Sequence, residues 1–74
     1  MSKKRFVEFY LAAMMKAATD GRVIRLAYTY NPATKGMAAQ ELVVVTFNTG
    51  CVVPTDVAGL ELMEIAKAVM GVLK

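Results

Sequence analysis

Apolar residues recur at helical spacing near the start of the chain, between residues 3 and 19. A helix over this segment would have one apolar face, made of Phe6, Val7, Tyr10, Met14, Ala17 and Ala18. Asp20-Gly21 provides a stop, because glycine accepts the left-handed backbone conformation that ends many helices. The pattern predicts a helix over 3–19, with Phe9 and Met15 at or outside the edge of its core face.

The beginning of this segment has an alternative interpretation. The Phe, Val and Tyr side chains between Lys4 and Leu11 all favour β-strands. The alanines and methionines that follow favour a helix. We predict the helix, and a strand over 4–11 stays open as the alternative.

Strict alternation marks the next element, over residues 22–30. Ile24, Leu26, Tyr28 and Tyr30 share one face of a predicted strand, and Asn31-Pro32 ends it. A second strand, over 41–47, is rich in β-branched residues and apolar on both faces, so we expect both faces to be covered. Asn48-Thr49-Gly50 predicts a tight turn and residues 51–53 a short third strand, which Pro54 stops from extending.

The end of the chain returns to helical spacing. Thr55 or Asp56 can cap a helix that runs over about 57–73. Its apolar stripe consists of Leu62, Ile65, Ala66, Val69 and Leu73, with Met63, Met70 and Val72 beside it. The element order predicts a single α+β domain over 1–74. In this fold, a three-stranded antiparallel meander packs with N- and C-terminal helices, and residues 1–5 form a frayed basic arm.

Composition adds an expectation about partners. The 74-residue chain is 57% hydrophobic and 20% charged, and a domain of this size buries only about 60% of the surface that its unfolded chain exposes. Some apolar surface should therefore lie against another chain. A single cysteine closes no internal disulfide and suits a reducing, cytoplasmic compartment. The apolar run near the N-terminus is too short to span a bilayer, and we expect no membrane partner. Peripheral association of the first helix with a membrane stays open as a third alternative.

The inventory of reactive side chains argues against catalysis. Histidine is absent, so the commonest general base is missing and no Ser-His or Cys-His pair is possible within one chain. Cys51 has no cationic neighbour in sequence, and we predict a small buried apolar side chain. Glu61 and Glu64 are one helical turn apart, as expected on a solvated helix face. We expect no enzyme activity, no metal site and no cofactor.

A second class of function rests on basic and aromatic residues. The net charge is +3, and aromatic side chains beside basic ones on a sheet can stack bases and follow phosphates. The candidates for such a site are Lys3, Lys4, Arg5, Arg22, Arg25 and Tyr28. Tyr28 also continues the core parity of Ile24 and Leu26, which favours a core or interface position.

A distant resemblance bears on this alternative. From Gly50 the chain reads Gly-Cys-Val-Val-Pro-Thr-Asp and then enters its last helix. This last third is similar to the final strand and helix of PC4-like single-stranded DNA-binding domains, although the lysine-rich strands of that family are missing here. The resemblance implies binding of single-stranded nucleic acid.

The main expectation is a small regulatory or binding protein. It would act through an apolar protein–protein surface, either as a homodimer or as a subunit or inhibitor of a larger complex. Phe9 and Met15 are the candidate contact residues, because large and flexible apolar side chains suit adaptable interfaces.

Overall fold

The chain folds as one helix, a three-stranded antiparallel sheet and a second helix, in the predicted α-β-β-β-α order. The structure is a computed structural model and describes residues 2–73. Helix α1 consists of three successive segments, Lys3–Arg5, Phe6–Leu11 and Ala12–Ala18, and the strands are β1 (Val23–Asn31), β2 (Gln40–Phe47) and β3 (Val52–Asp56). Helix α2 spans Leu62–Met70 and ends in a 3₁₀ turn at Gly71–Leu73. The predicted fold class is confirmed.

Helix α1 begins one residue into the described chain. The Ser2 hydroxyl caps it by accepting the Arg5 N–H at 3.1 Å, and Lys3–Arg5 form the first turn where the sequence predicts a frayed arm. The segment Phe6–Leu11 is π-helical rather than strand, which decides the alternative for residues 4–11 in favour of a helix. The chain leaves α1 through Asp20 and Gly21, both with positive φ, at the predicted stop.

The buried face of α1 follows a four-residue repeat through Val7, Leu11, Met15 and Thr19. In a regular α-helix this repeat drifts around the axis, because one turn takes only 3.6 residues. The π-helical segment has wider turns with i→i+5 bonds, and it keeps the repeat closer to one face. The Thr19 hydroxyl then donates to the Met15 carbonyl at 2.7 Å and accepts the N–H of Val23, which joins the helix end to β1.

The predicted core face of α1 is therefore rotated from the observed one. Tyr10 and Met14, which the regular helical wheel places in the core, are about half exposed. Met15 is 1% exposed and belongs to the core. The prediction that Met15 lies outside the core face is wrong, because the wheel assumes a constant 3.6-residue turn.

A β-bulge near the start of β1 changes the alternation predicted there. The pairing with β2 shifts by one residue between Val23 and Arg25, which leaves Ile24 as the extra residue. Val23 and Leu26 are buried, whereas Ile24 is 54% exposed. The prediction that Ile24 shares the core face with Leu26 and Tyr28 is wrong for Ile24.

Strand β2 is buried on one face only. Glu41, Val43 and Val45 are buried, while the alternate residues Leu42 and Val44 are half-buried. Both helices lie on the same side of the sheet, since α1, α2 and one sheet face contribute to a single cluster of buried side chains. The expectation that both faces of this strand are covered is wrong, because the two helices pack together on one side and leave the other side of the sheet open.

Strand β3 continues through Pro54, contrary to the prediction. The Val57 N–H donates to the Glu41 carbonyl and the Phe47 N–H to the Cys51 carbonyl, so the odd-numbered residues of β2 bond to β3. Pro54 lies opposite Val44 and turns its nitrogen away from β2. A proline at that position removes no ladder hydrogen bond.

Helix α2 starts later than predicted. Residues 57–60 form a turn in which Val57 is buried in the core, and the helix starts at Leu62. The Glu64 carboxylate accepts the Glu61 N–H at 3.0 Å, as in a capping box. Glu61, rather than Thr55 or Asp56, is therefore the N-cap, while Ile65, Ala66 and Val69 provide the buried stripe as predicted.

Candidate interaction surfaces

The open face, which is the face of the sheet opposite the helices, carries a row of apolar side chains at its centre. Strand pairing places Ala27, Val44 and Pro54 side by side across β1, β2 and β3. Leu42 and Val52 extend this apolar centre. Within residues 2–73, neither helix covers this face. The open face therefore presents apolar side chains to solvent on a rigid, hydrogen-bonded frame.

Two opposite charges stand at opposite corners of the open face. Arg25 is on β1 in the row of Thr46, and Asp56 is on β3 in the row of Leu42. From strand and residue spacings the two side chains start roughly 17 Å apart, too far for an ion pair within one molecule. The Asp56 carboxylate accepts the Ala58 N–H at 3.0 Å through Oδ1 and is otherwise exposed.

Both edges of the sheet are protected near their middle. On β1 the Tyr28 N–H points away from β2 and donates to Glu8 Oε2 at 3.0 Å. On β3 Pro54 has no N–H to offer at the corresponding outward position. Such features stop a further strand from adding to a sheet. The open face, rather than an edge, is the available part of the sheet.

A second apolar surface lies on the solvent side of α1. Phe9 is 68% exposed, and Tyr10 and Met14 lie near it on the same helix. The Arg5 guanidinium stands 5.5 Å from the centre of the Phe9 ring, within the range of a cation–π contact. Phe9 is thus available for a contact, as expected, whereas Met15 is enclosed in the core.

The candidate nucleic-acid residues do not form one surface. Lys3 and Tyr28 both contact Glu41, and the Arg22 guanidinium donates to the Thr19 carbonyl at 3.1 Å. Arg25 lies on the opposite side of the sheet, on the open face.

The remaining two basic candidates are on α1. Lys4 is exposed, and Arg5 covers the ring of Phe9. The structure therefore brings together Lys3 with Tyr28, and Arg5 with Phe9, but no continuous basic track.

Glu41 is the polar centre of the helix-covered face. Its carboxylate accepts hydrogen bonds from the Tyr28 hydroxyl, from Lys3 Nζ at 3.1 Å and from the Gly59 N–H at 3.2 Å. The Tyr28 and Lys3 bonds hold the pKa of Glu41 below its ordinary value of 4.5. Burial, followed by the bond to Glu41, raises the pKa of Tyr28 to about 12. The cluster joins α1, β1 and the turn before α2, and it serves the fold.

Cys51 corrects another prediction. It lies in the β2–β3 turn and is exposed, because the strand starts one residue later than predicted. Glu61 and Glu64 are exposed as expected and take part in the cap of α2. Residues 2–73 hold no cluster of three or more side chains suited to metal binding. None of their helices combines the length and apolar character needed to cross a membrane.

Sequence reasoning misses the open face and the Glu41 cluster. The sequence shows that the even-numbered residues Leu42 and Val44 are apolar, but from this pattern one expects a second buried face rather than an open one. Only the register of the three strands shows that Arg25 and Asp56 lie on the same face of the sheet. From the sequence alone Glu41 is only a polar residue at the start of a strand. Its hydrogen-bond partners lie far from it along the chain, so no local pattern indicates them.

No family model, no curated protein and no solved structure matches the chain. The resemblance of its last third to PC4-like domains stays a prediction. The surfaces and side chains of this chain are therefore the basis on which its function can be inferred.

Proposed function

We propose that this chain is a small, non-catalytic binding protein that acts through apolar protein–protein contacts. It would work as a homodimer or as a subunit or inhibitor of a larger complex. The reactive groups support a binding role over catalysis, since the chain lacks histidine and its one cysteine has no cationic neighbour in sequence. The exposed thiol of Cys51 suits a reducing, cytoplasmic setting.

One observation carries this proposal: large apolar side chains remain exposed after the domain has folded. Nine of them are at least 45% exposed within residues 2–73, and Phe9 is among the most exposed. One of the nine, Val52, lies on the open face, where Pro54 is also exposed and Ala27, Leu42 and Val44 are half-buried. Extended exposed apolar surface on a small domain marks an interaction site.

The proposal is tested by affinity capture with the full chain, with and without nuclease, combined with sedimentation of the purified protein over a range of concentrations. We expect self-association or a defined protein partner that resists both nuclease and raised salt. Phe9→Ala should weaken a heteromeric contact made by α1, while Lys67→Ala, a change on the exposed side of α2, serves as the matched control.

Two results would contradict it. The first is that the chain is monomeric at all concentrations in sedimentation and that affinity capture recovers no protein partner. The other is binding that is lost with nuclease and falls steeply with salt, which is the signature of phosphate contacts. The second result would support the alternative, a single-stranded nucleic-acid-binding protein.

A further inference from the structure

We propose that the open face binds the open face of a second copy of this chain, with each Arg25 paired to Asp56 of the other copy. This inference rests on the proposed function and specifies its partner. The strands of the two sheets would cross at roughly 70°, closer to the orthogonal than to the aligned arrangement of sheets packed face to face.

The centre of the open face provides the contact area. Ala27, Val44 and Pro54 form its middle row, with Leu42 and Val52 beside them. These side chains occupy neighbouring positions of the three strands, so a second sheet packed on them face to face would lie about 10 Å away. An apolar patch with a polar rim is typical of a protein interface.

The corners of the face determine which partner fits. Arg25 is one strand and one row from Val44 in one direction, and Asp56 is one strand and one row away in the opposite direction. Each face therefore carries one positive and one negative corner on a diagonal through its centre. A surface with this arrangement is complementary to itself.

A two-fold axis provides the required geometry. Strands are about 4.8 Å apart and alternate residues about 6.8 Å apart, so Arg25 and Asp56 lie in opposite directions from Val44 at the same distance, roughly 8 Å. Rotation by half a turn exchanges the two corners when the axis lies between the two faces, passes over Val44 and is perpendicular to the line from Arg25 to Asp56. It places Arg25 of each copy over Asp56 of the other, and a C2 interface necessarily repeats both contacts.

Other occupants fit this face less well. An added strand would use an edge, where Glu8 and Pro54 stand in the way. A nucleic acid or an anionic membrane would meet the carboxylate of Asp56 within the patch. A second copy satisfies both charges at once.

The open face is small for a protein interface, and small contacts are typical of weak, transient complexes. About eleven side chains lie on it, fewer than the roughly 20–30 residues a side of a standard interface. We therefore expect a dimer with a dissociation constant on the order of micromolar.

The test is a charge exchange measured by sedimentation equilibrium on the full-length chain. Arg25→Glu places like charges at both contacts of a homodimer, and so does Asp56→Lys. Each variant alone should therefore dimerise at least about ten-fold more weakly than the unmodified chain. An equimolar mixture of the two restores opposite charges at both contacts and should form a heterodimer at the original concentration.

Folding is checked on the same samples. Asp56→Lys loses the hydrogen bond from Ala58, so thermal melts must show that each variant is folded. Lys67→Glu reverses a charge on the exposed side of α2 and should leave dimerisation unchanged. If Asp56→Lys does not fold, Asp56→Asn replaces it, because asparagine keeps a side-chain oxygen for the Ala58 N–H. A mixture of Asp56→Asn with Arg25→Glu has no like-charged contact and should then associate more tightly than Arg25→Glu associates with itself.

The outcomes separate this inference from the proposed function. Rescue by the mixture supports the paired open faces. If both single variants dimerise as well as the unmodified chain, the face assignment is wrong while protein binding stands. If each single variant loses the dimer and the equimolar mixture does not restore it, the pairing of Arg25 with Asp56 is also wrong. A monomeric chain overturns the inference, and a heteromeric partner would then still carry the proposed function.

Discussion

The two faces of the β-sheet differ although both are rich in valine. Val43 and Val44 are neighbours in β2, yet Val43 is fully buried under the helices and Val44 faces the other way, half-exposed. Apolar composition alone does not locate a core, since the two helices cover one sheet face and leave the other. The comparison indicates that the helix-covered face maintains the fold while the open face is available for binding.

Placing an aspartate on each face of the sheet gives the largest expected difference in stability between the two faces. Val43→Asp buries a carboxylate without a partner, and we expect it to remove all measurable folded protein, because its cost approaches the roughly 5–15 kcal/mol stability of a domain. Val44→Asp should change the free energy of unfolding by only about 1 kcal/mol and should abolish dimerisation. Circular dichroism melts and sedimentation on both variants check this pair. Equal destabilisation by the two substitutions would contradict the assignment of faces.

Helix α1 allows a similar comparison between Met15 and Phe9. Met15→Ala should lower the free energy of unfolding by about 2–4 kcal/mol, since it leaves a cavity in the core. Phe9→Ala removes a side chain that is 68% exposed and should cost only about 0.5 kcal/mol. Chemical denaturation measures both. A larger loss for Phe9→Ala would show that the repeat through Val7 and Leu11 does not define the core face.

The Glu41 cluster predicts how stability depends on pH. The pKa of Glu41 is lowered in the folded state, so its contribution is present above its ordinary value of 4.5 and is lost as the pH falls through the lowered value. The pKa of Tyr28 is raised from 10.0 to about 12, so its contribution is present below pH 10.0 and is lost as the pH rises towards 12. Glu41→Gln should reduce the loss of stability at acidic pH and should lower the free energy of unfolding by about 2 kcal/mol near neutral pH.

The alkaline limb has its own variant and control. Tyr28→Phe should remove part of the loss of stability between pH 10.0 and about 12. Tyr10→Phe, on the solvent side of α1 and about half exposed, should leave that limb in place. Urea midpoints across the pH range measure both effects. Identical profiles for the two phenylalanine variants would contradict the role of the Tyr28–Glu41 bond.

The smallest expected effect concerns Cys51. Because it is exposed in a turn, Cys51→Ser should change stability by less than about 0.5 kcal/mol. A thiol reagent should modify it in the folded state as fast as it modifies the unfolded chain. Protection of the thiol at concentrations that favour the dimer, but not in the charge variants, would place it near the interface and extend the contact beyond the open face.

The sequence predicts the element order because that order depends on local signals. Gly21, Gly50 and the alternating or helical apolar patterns act over a few residues. They predict the type and order of the elements correctly, but not the end of β3 or the start of α2. The faces are harder to predict. One extra residue at Ile24 and a wider turn in Phe6–Leu11 each rotate the core face without changing the composition of the segment.

The candidate site is less predictable still. The sequence indicates excess apolar surface and selects Phe9, which is exposed. It cannot place Arg25 and Asp56 on one face, because their relation depends on the register of two strand pairings. The role of Glu41 also depends on tertiary contacts, since its hydrogen-bond partners include Lys3 and Gly59, which are 38 and 18 residues away.

That separation has a kinetic consequence. The Glu41 carboxylate acquires its full set of donors only when α1, β1 and the turn before α2 have all docked, so its bonds should form after the folding transition state. Contacts made that late do not affect how fast a chain folds; they set how slowly the folded state opens. Glu41 would then slow unfolding without speeding folding. Glu41→Gln should shorten the lifetime of the native state while leaving the refolding rate nearly unchanged.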